Sequence, residues 1–86
     1  MEKSILLLEV QNIMRKVIDE PDIVLTEATT ANDVDGWDSL SHIQLVVAVE
    51  KHFKIKFATK EILSWKNVGE MVDSICSKVN KVKFYL

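Results

Sequence analysis

The sequence predicts an all-α protein: a small antiparallel four-helix bundle of three main helices and one short helix, with a long loop between the first two. Apolar residues recur at three- and four-residue spacings in three separate stretches, which is typical of amphipathic helices. Residues 20–37 contain Pro, Gly, Asn, Asp and Thr, which indicates a loop. Alternation of period two occurs only in the segment FKIKF, and five residues alone do not make a sheet.

The first helix is expected from about residue 3 to residue 19, because Pro21 cannot continue it. The loop that follows is expected to be held to the core by Ile23, Leu25 and Val34. Asp38 is a favoured N-cap residue, so the second helix begins there and extends to Phe53. The apolar positions expected to face the core from the first helix are Ile5, Leu8, Ile13, Met14, Val17 and Ile18.

The remaining helices follow in the second half of the chain. Residues 59–63 are expected to form one short helical turn, and Asn67 is a good N-cap for the last helix. That helix carries its apolar residues at helical spacing: Val68, Met71, Val72, Ile75 and Val79. The tail KVKFYL either extends this helix, with Phe84 or Tyr85 packed on the bundle, or forms a disordered end.

Length and composition indicate a single domain over residues 1–86, of which 48% are hydrophobic and 28% charged. Cys76 is the only cysteine, so an intramolecular disulfide is impossible and a buried, inert thiol is expected. No stretch approaches the roughly 20 apolar residues that a membrane span requires. These features favour a cytoplasmic protein.

The net charge of −2 conceals an uneven distribution. Residues 1–50 carry ten acids and three bases, whereas residues 51–86 carry three acids and eight lysines. The segment from Glu20 to Asp38 contains six acids and no base. An acidic surface of this kind repels nucleic acid and suits a basic protein partner. The lysines near the C-terminus are expected to form a solvated helix face.

Ser39 occupies an unusual position for a small hydroxyl residue. If Asp38 is the N-cap, Ser39 is the first helical residue, and its hydroxyl faces solvent at the positive end of the helix dipole. Such a position favours a phosphate group. Leu40 comes too early in the helix to be fully buried, so it offers an apolar contact beside the hydroxyl. The pattern favours modification by a phosphate-containing group over catalysis.

These residues carry a resemblance to a known family. The segment GWDSLSHIQLVVAVEKHFKIKF resembles the phosphopantetheine attachment region of the acyl carrier protein family, and Asp38-Ser39-Leu40 matches its signature tripeptide. The segment KEILSWKNVGEMVDSI is similar to the short third helix of that family and the start of the fourth. The resemblance extends from about Asp33 to Ile75.

The resemblance implies a carrier and not a catalyst. A phosphopantetheinyl transferase would move 4'-phosphopantetheine from coenzyme A onto Ser39, and the terminal thiol would then carry acyl-type cargo as a thioester to acyl-transferring or acyl-modifying enzymes. By analogy, Asp38 caps the helix and helps to engage the transferase and its Mg²⁺. A monomer is the default expectation for such a carrier. The residues expected to contact partners are Leu40, Ile43, Val47 and Glu61.

Two features leave alternatives open within this family. Trp65 and Ile62 could line a cavity for an acyl chain, or Trp65 could simply fill the core. Glu50 is the only acid between Ser39 and Phe53. In the family that this chain resembles, the carriers of bacterial fatty-acid synthesis usually have several acids on the second helix. The sparse acidity therefore favours a carrier dedicated to one lipid, polyketide or cell-surface saccharide pathway.

Other functions fit the residues less well. A hydrolase built on Asp38, Ser39 and His42 would lack the strand that precedes a nucleophile elbow. A calcium loop around Gly36 fails at its first and twelfth positions, where acidic ligands are expected. His42 and His52 lack the spacing of a metal pair on one helix face, so no metal site is expected. A helical adaptor that never carries the arm remains the main alternative.

Overall fold

The computed structural model describes residues 2–83, with side-chain surroundings through residue 79. The expectations for Phe84 and Tyr85 lie outside the described residues. Within residues 2–83, four α-helices follow one another and confirm the predicted all-α bundle: α1 Lys3–Ile18, α2 Ser39–Phe53, α3 Thr59–Ser64 and α4 Val68–Lys83. A 3₁₀ turn, Ala31–Asp33, interrupts the loop between α1 and α2. Helix α1 packs against both α2 and α4.

The face that α1 buries differs from the one expected. Leu6, Val10 and Met14 are buried, whereas Ile5 and Leu8 are 46% and 57% exposed. The expectation that Ile5 and Leu8 face the core was therefore wrong. The reason lies in the run ILLLEV, which is apolar at four successive positions and so allows more than one helical register. Positions 6, 10 and 14 continue one face over three turns.

The core draws on α1, the long loop, α2, the segment after α2 and α4, whereas α3 contributes no buried residue. Leu45 and Val49 contribute from α2, and Ile55 follows that helix. From the long loop, Ile23 and Leu25 are buried, as expected, while Val34 is partly buried against the core. Helix α4 supplies the residues expected of it, with Val79 partly buried at the edge: Val68, Met71, Val72 and Ile75.

Cys76 is half-buried against the core and not buried as expected, and the expected inertness of its thiol stays a prediction. The adjacent Ile75 takes the inward position on this turn of α4 and is completely buried. No helix in residues 2–83 is both long and apolar enough to cross a membrane.

Polar side chains of α1 hold the first part of the long loop. The backbone N–H of Leu25 donates a hydrogen bond of 2.9 Å to Gln11 Oε1, and this pair is buried. Arg15 Nε donates to the carbonyl of Ile23 at 2.7 Å. Both bonds satisfy backbone groups that would otherwise be removed from water without a partner, so the loop can run beside the core.

The start of α4 holds the next part of the loop. The N–H groups of Val68 and Gly69 donate to the carbonyls of Thr29 and Glu27 at 2.9 and 2.8 Å. Gly69 is required there, because a Cβ atom would lie 2.8 Å from the Glu27 carbonyl oxygen. Asn67 caps α4 as predicted: its Oδ1 accepts a hydrogen bond from the N–H of Glu70 at 2.9 Å.

We expect Leu6→Ala to lower the free energy of unfolding by about 2–5 kcal/mol, because it leaves a cavity in the core. Leu8→Ala makes the same chemical change on the exposed side of α1 and should cost less than about 1 kcal/mol. Urea unfolding followed by circular dichroism measures both values. Equal losses for the two variants would contradict this placement of the α1 face.

Candidate functional site

Helix α2 begins with two reciprocal hydrogen bonds between Asp38 and Ser41. The backbone N–H of Ser41 donates to Asp38 Oδ1 at 2.9 Å, and the N–H of Asp38 donates to Ser41 Oγ at 2.8 Å. Asp38 is therefore the N-cap, as predicted. The two bonds form a capping box in which the usual acidic and hydroxyl positions are exchanged.

Ser41 also ties the helix to the preceding loop. Its buried hydroxyl lies 2.7 Å from the Gly36 carbonyl and can donate to it. Gly36 has a φ of +87°, which favours glycine, and a Cβ atom there would lie 3.0 Å from Ile18 Cγ2. The sequence interpretation missed Ser41, although its spacing of three residues from an acidic N-cap was a usable signal.

The cap alters the acidity of Asp38. The hydrogen bond from the Ser41 backbone N–H, followed by the contact with the Ser41 hydroxyl at 3.1 Å, lowers the pKa of the Asp38 carboxyl below its usual 3.8. Asp38 is thus an anion at neutral pH. Its charge lies at the positive end of α2, where it stabilises the helix.

Ser39 is the first residue of α2, and its side chain is exposed, as is that of Leu40. Asp38, which precedes Ser39, forms the N-cap, and Ser41, two residues after Ser39, is buried. The hydroxyl of Ser39 is left in the first turn, where the helix dipole favours a phosphate. This position fits a covalently attached phosphate ester.

An open cleft of about 470 Å³ adjoins Ser39. Its aromatic walls are Trp37, His42 and Trp65, and the other residues that line it are Ala31, Asp38, Ser39, Lys66, Asn67 and Met71. Trp37 Nε1 donates a 3.1 Å hydrogen bond to His42 Nδ1, and the two rings stack with centroids 5.9 Å apart. The cleft therefore combines rigid rings with polar groups.

His42 is a wall of this cleft. Burial lowers the pKa of the imidazole below its usual 6.5, so the ring is neutral at pH 7. His42 Nδ1 accepts a hydrogen bond from the Trp37 indole N–H, so the proton of the neutral imidazole lies on Nε2. Because Nδ1 is occupied, it is not available as a base for Ser39, and this weakens the hydrolase interpretation.

Trp65 packs against the core and also borders the cleft, while its expected contact with an acyl chain stays a prediction. Its indole donates to Ser74 Oγ at 2.9 Å and its ring meets Phe57 edge to face at 4.8 Å, so it packs against the core. It also forms a wall of the cleft. Ile62 is half-buried and does not line this cleft, so its expected contact with an acyl chain stays a prediction.

Leu40, Ile43 and Val47 lie on the outer side of α2 and are 66%, 61% and 42% exposed. We call these three residues the apolar stripe. The core side of the helix carries other apolar residues that are buried: Leu45, Val46 and Val49. Leu40, Ile43 and Val47 are thus not needed for the core, which was the alternative explanation of their hydrophobicity.

Glu61 is engaged within the chain. Its Oε1 accepts a hydrogen bond from the Ala58 N–H at 2.9 Å, and it lies 2.9 Å from Lys78 Nζ. These contacts begin α3 and connect it to α4. The expected contact of Glu61 with a partner stays a prediction.

Comparisons with known proteins agree with this geometry. A family model described as a phosphopantetheine attachment site matches residues 8–75. The acyl carrier protein of Cyanidium caldarium is 33% identical over 79 residues, which are 91% of this chain and 91% of that protein. The acyl carrier protein of Thermosynechococcus vestitus is 33% identical over 60 residues, or 70% of this chain and 73% of that protein.

A solved structure is similar over nearly the same length. The solution NMR structure of a holo acyl carrier protein from Geobacter metallireducens has a TM-score of 0.86 and 45% sequence identity. The match covers 93% of this chain and 92% of that one. Fold and family model together define a protein that carries covalently attached phosphopantetheine and is not itself a catalyst. The chain belongs to the acyl carrier protein family.

We expect Asp38→Asn to flatten the loss of stability in acid. The folded state lowers the pKa of Asp38, so its carboxylate contributes stability above the usual value of 3.8, and this contribution is lost as pH falls through the folded pKa. Asn retains an acceptor for the cap but does not titrate. Melting temperatures of both proteins between about pH 5 and pH 2 test this.

A control for this measurement is Asp35→Asn, which removes an exposed carboxylate of the same loop that caps no helix. Its melting temperature should depend on pH more nearly as that of the wild type does. Parallel curves for the wild type and Asp38→Asn would contradict a role of the Asp38 charge in the cap.

Proposed function

We propose that Ser39 is the residue that carries the 4'-phosphopantetheine arm. The observation that supports it most directly is its exposed position in the first turn of α2, beside the cleft and next to the Asp38 cap. The other serines do not combine these features; Ser41, the nearest, is buried and bonded to the loop.

The chemistry asked of Ser39 is simple. Its Oγ forms a new bond to the phosphorus of the arm and loses its proton, while the nucleotide half of coenzyme A leaves. A phosphopantetheinyl transferase supplies the catalysis. The Asp38 carboxylate lies next to Ser39 and is ionised at neutral pH, which supports a role in engaging the transferase and its Mg²⁺. The cleft offers space for part of the arm or its cargo.

The carrier presents acyl-type cargo, as a thioester on the arm, to acyl-transferring or acyl-modifying enzymes. We place it in a dedicated lipid, polyketide or cell-surface saccharide pathway, because α2 has one acid and an exposed apolar stripe. We further propose a single domain over residues 1–86 that acts as a monomer in the cytoplasm. Family membership favours this carrier function over an adaptor without the arm.

Ser39→Ala should fold with a free energy of unfolding within about 0.5 kcal/mol of the wild type, because the side chain is exposed. It should accept no arm, since no oxygen remains to form the phosphoester. The test is incubation with coenzyme A and a broad-specificity transferase, followed by intact mass and peptide mapping. An arm on the Ala variant, or on another serine, would show that the attachment site lies elsewhere.

Ile43→Asp and Val47→Asp should each weaken binding of the cognate enzyme about tenfold or more, since burial of such a side chain contributes roughly 1.5–3 kcal/mol. Gln44→Asp is the matched control, because it adds the same charge at an exposed position outside the stripe. Affinity of the wild type should fall only modestly with salt, because apolar contacts are barely screened.

Binding curves at several salt concentrations measure these effects, and circular dichroism shows whether each variant keeps its helices. If both stripe variants fold and bind like the wild type while salt abolishes binding, recognition depends on charged residues and not on the stripe.

A further inference from the structure

The C-terminal end of α2 forms an open groove of about 460 Å³. We call it the lysine groove, after the three exposed lysines among the residues that line it: Val47, Glu50, Lys51, Lys54, Ile55 and Lys56. It lies at the opposite end of α2 from Ser39 and the acidic loop. A 15-residue helix is about 22 Å long, so the two ends are well separated.

The charge of the lysine groove is not balanced by its own acids. Within the part of the chain that the structure describes, Lys51, Lys54 and Lys56 have no ion-pair partner, whereas Lys3 and Lys78 do. The one acid in the groove is Glu50. Its Oε2 accepts a hydrogen bond from the Phe57 N–H at 2.8 Å, which directs it toward the chain. The groove therefore presents positive charge to a partner.

Helix stability explains only part of this arrangement. A lysine in the last turn interacts favourably with the helix dipole, and that accounts for Lys51. Lys56 lies beyond the helix, where the effect has declined. Lys54 is the C-cap and has a φ of 58°, a left-handed conformation in which glycine is less strained. Lysines at these two positions are not explained by the fold.

The lysine groove continues the apolar stripe. Leu40, Ile43, Val47 and Lys51 follow one another at spacings of three, four and four, so they lie along one side of α2. Val47 belongs to both surfaces, and Ile55 adds an apolar floor to the groove. A partner that covers the stripe therefore also meets the lysines.

We propose that the lysine groove docks an acidic segment of the partner enzyme, with one apolar side chain seated against Val47 and Ile55. This inference rests on the proposed function, because it extends the face assigned to partner binding. It also gives the partner an orientation. A surface that is basic near the acidic loop and acidic near the lysines matches the carrier in one direction along α2 and not in the other.

The test uses the full chain, isotope-labelled for NMR, and two short synthetic peptides. One peptide carries leucines and glutamates at helical spacing, and the other has lysine in place of every glutamate. The glutamate peptide should shift the amide signals of Val47, Lys51 and Ile55, with an affinity that falls as salt rises. The lysine peptide should leave these signals unchanged.

Two variants and a control locate the binding. Lys51→Glu should weaken binding of the glutamate peptide about five- to tenfold. It removes one exposed ion pair and puts a repulsive pair of like charges in its place. Lys16→Glu makes the same change in the last turn of α1 and should weaken it less than about twofold. Lys54→Gly should also weaken binding while keeping the melting temperature, since glycine suits that backbone conformation.

Several outcomes would overturn the proposal. These are equal binding of both peptides at the groove, no shifts there, or equal effects of Lys51→Glu and Lys16→Glu. Groove shifts that grow with protein concentration alone would assign the groove to the acidic loop of a second copy. Shifts with phosphatidylglycerol vesicles but not with the peptide would assign it to a membrane surface. Arm loading is read separately by intact mass, so its failure counts against the proposed function alone.

Discussion

The pair of hydrogen bonds between Asp38 and Ser41 is the constraint on which the rest of the site depends. It fixes where α2 begins, and so it decides that the side chain between them faces solvent. It also connects the helix to the loop, because the Ser41 hydroxyl reaches the Gly36 carbonyl. A shift of one residue would rotate the helix by about 100° and turn Ser39 away from the cleft. The exposure of the serine is therefore a consequence of the cap.

The cap works because the long loop is itself held in place. Gln11 of α1 accepts a hydrogen bond from the loop backbone, and the first N–H groups of α4 donate to its carbonyls. The first N–H groups of a helix and the carbonyls of an irregular loop have no partner within their own segment. Each hydrogen bond between α4 and the loop therefore satisfies one donor and one acceptor. The acidic loop is thus fixed relative to Ser39, although it has little regular structure of its own.

The sequence predicts the helices well, because their signals are local. The caps at Asp38 and Asn67 and the spacing within α4 depend on nearby residues alone. The inward face of α1 could not be derived in this way. Four successive apolar residues fit more than one register, and only contact with α2 and α4 selects Leu6 over Leu8.

The same limit applies to the site. Ser39, Leu40 and Asp38 were found because they are adjacent in sequence at a helix start. The cleft was found only in part, since it joins residues from the loop, α2 and the α3–α4 connection. The Trp37–His42 hydrogen bond spans five residues across a helix start, and no periodic pattern indicates it. This bond depends on the path by which the loop enters α2, and that path is set by the tertiary contacts of the loop.

Helix α2 separates three tasks along its length. Its first turn holds the exposed hydroxyl, where the dipole and the Asp38 cap act. The apolar stripe follows from Leu40 to Val47, and we propose that its contacts supply affinity for the partner with little dependence on salt. The last turn of α2 and the residues after it present the lysine groove. Charge at the two ends is opposite in sign, so in the proposed complex it distinguishes the two directions in which a partner could lie on the stripe. A carrier that must bring one serine to a catalytic centre needs that distinction, because apolar contacts alone do not specify direction.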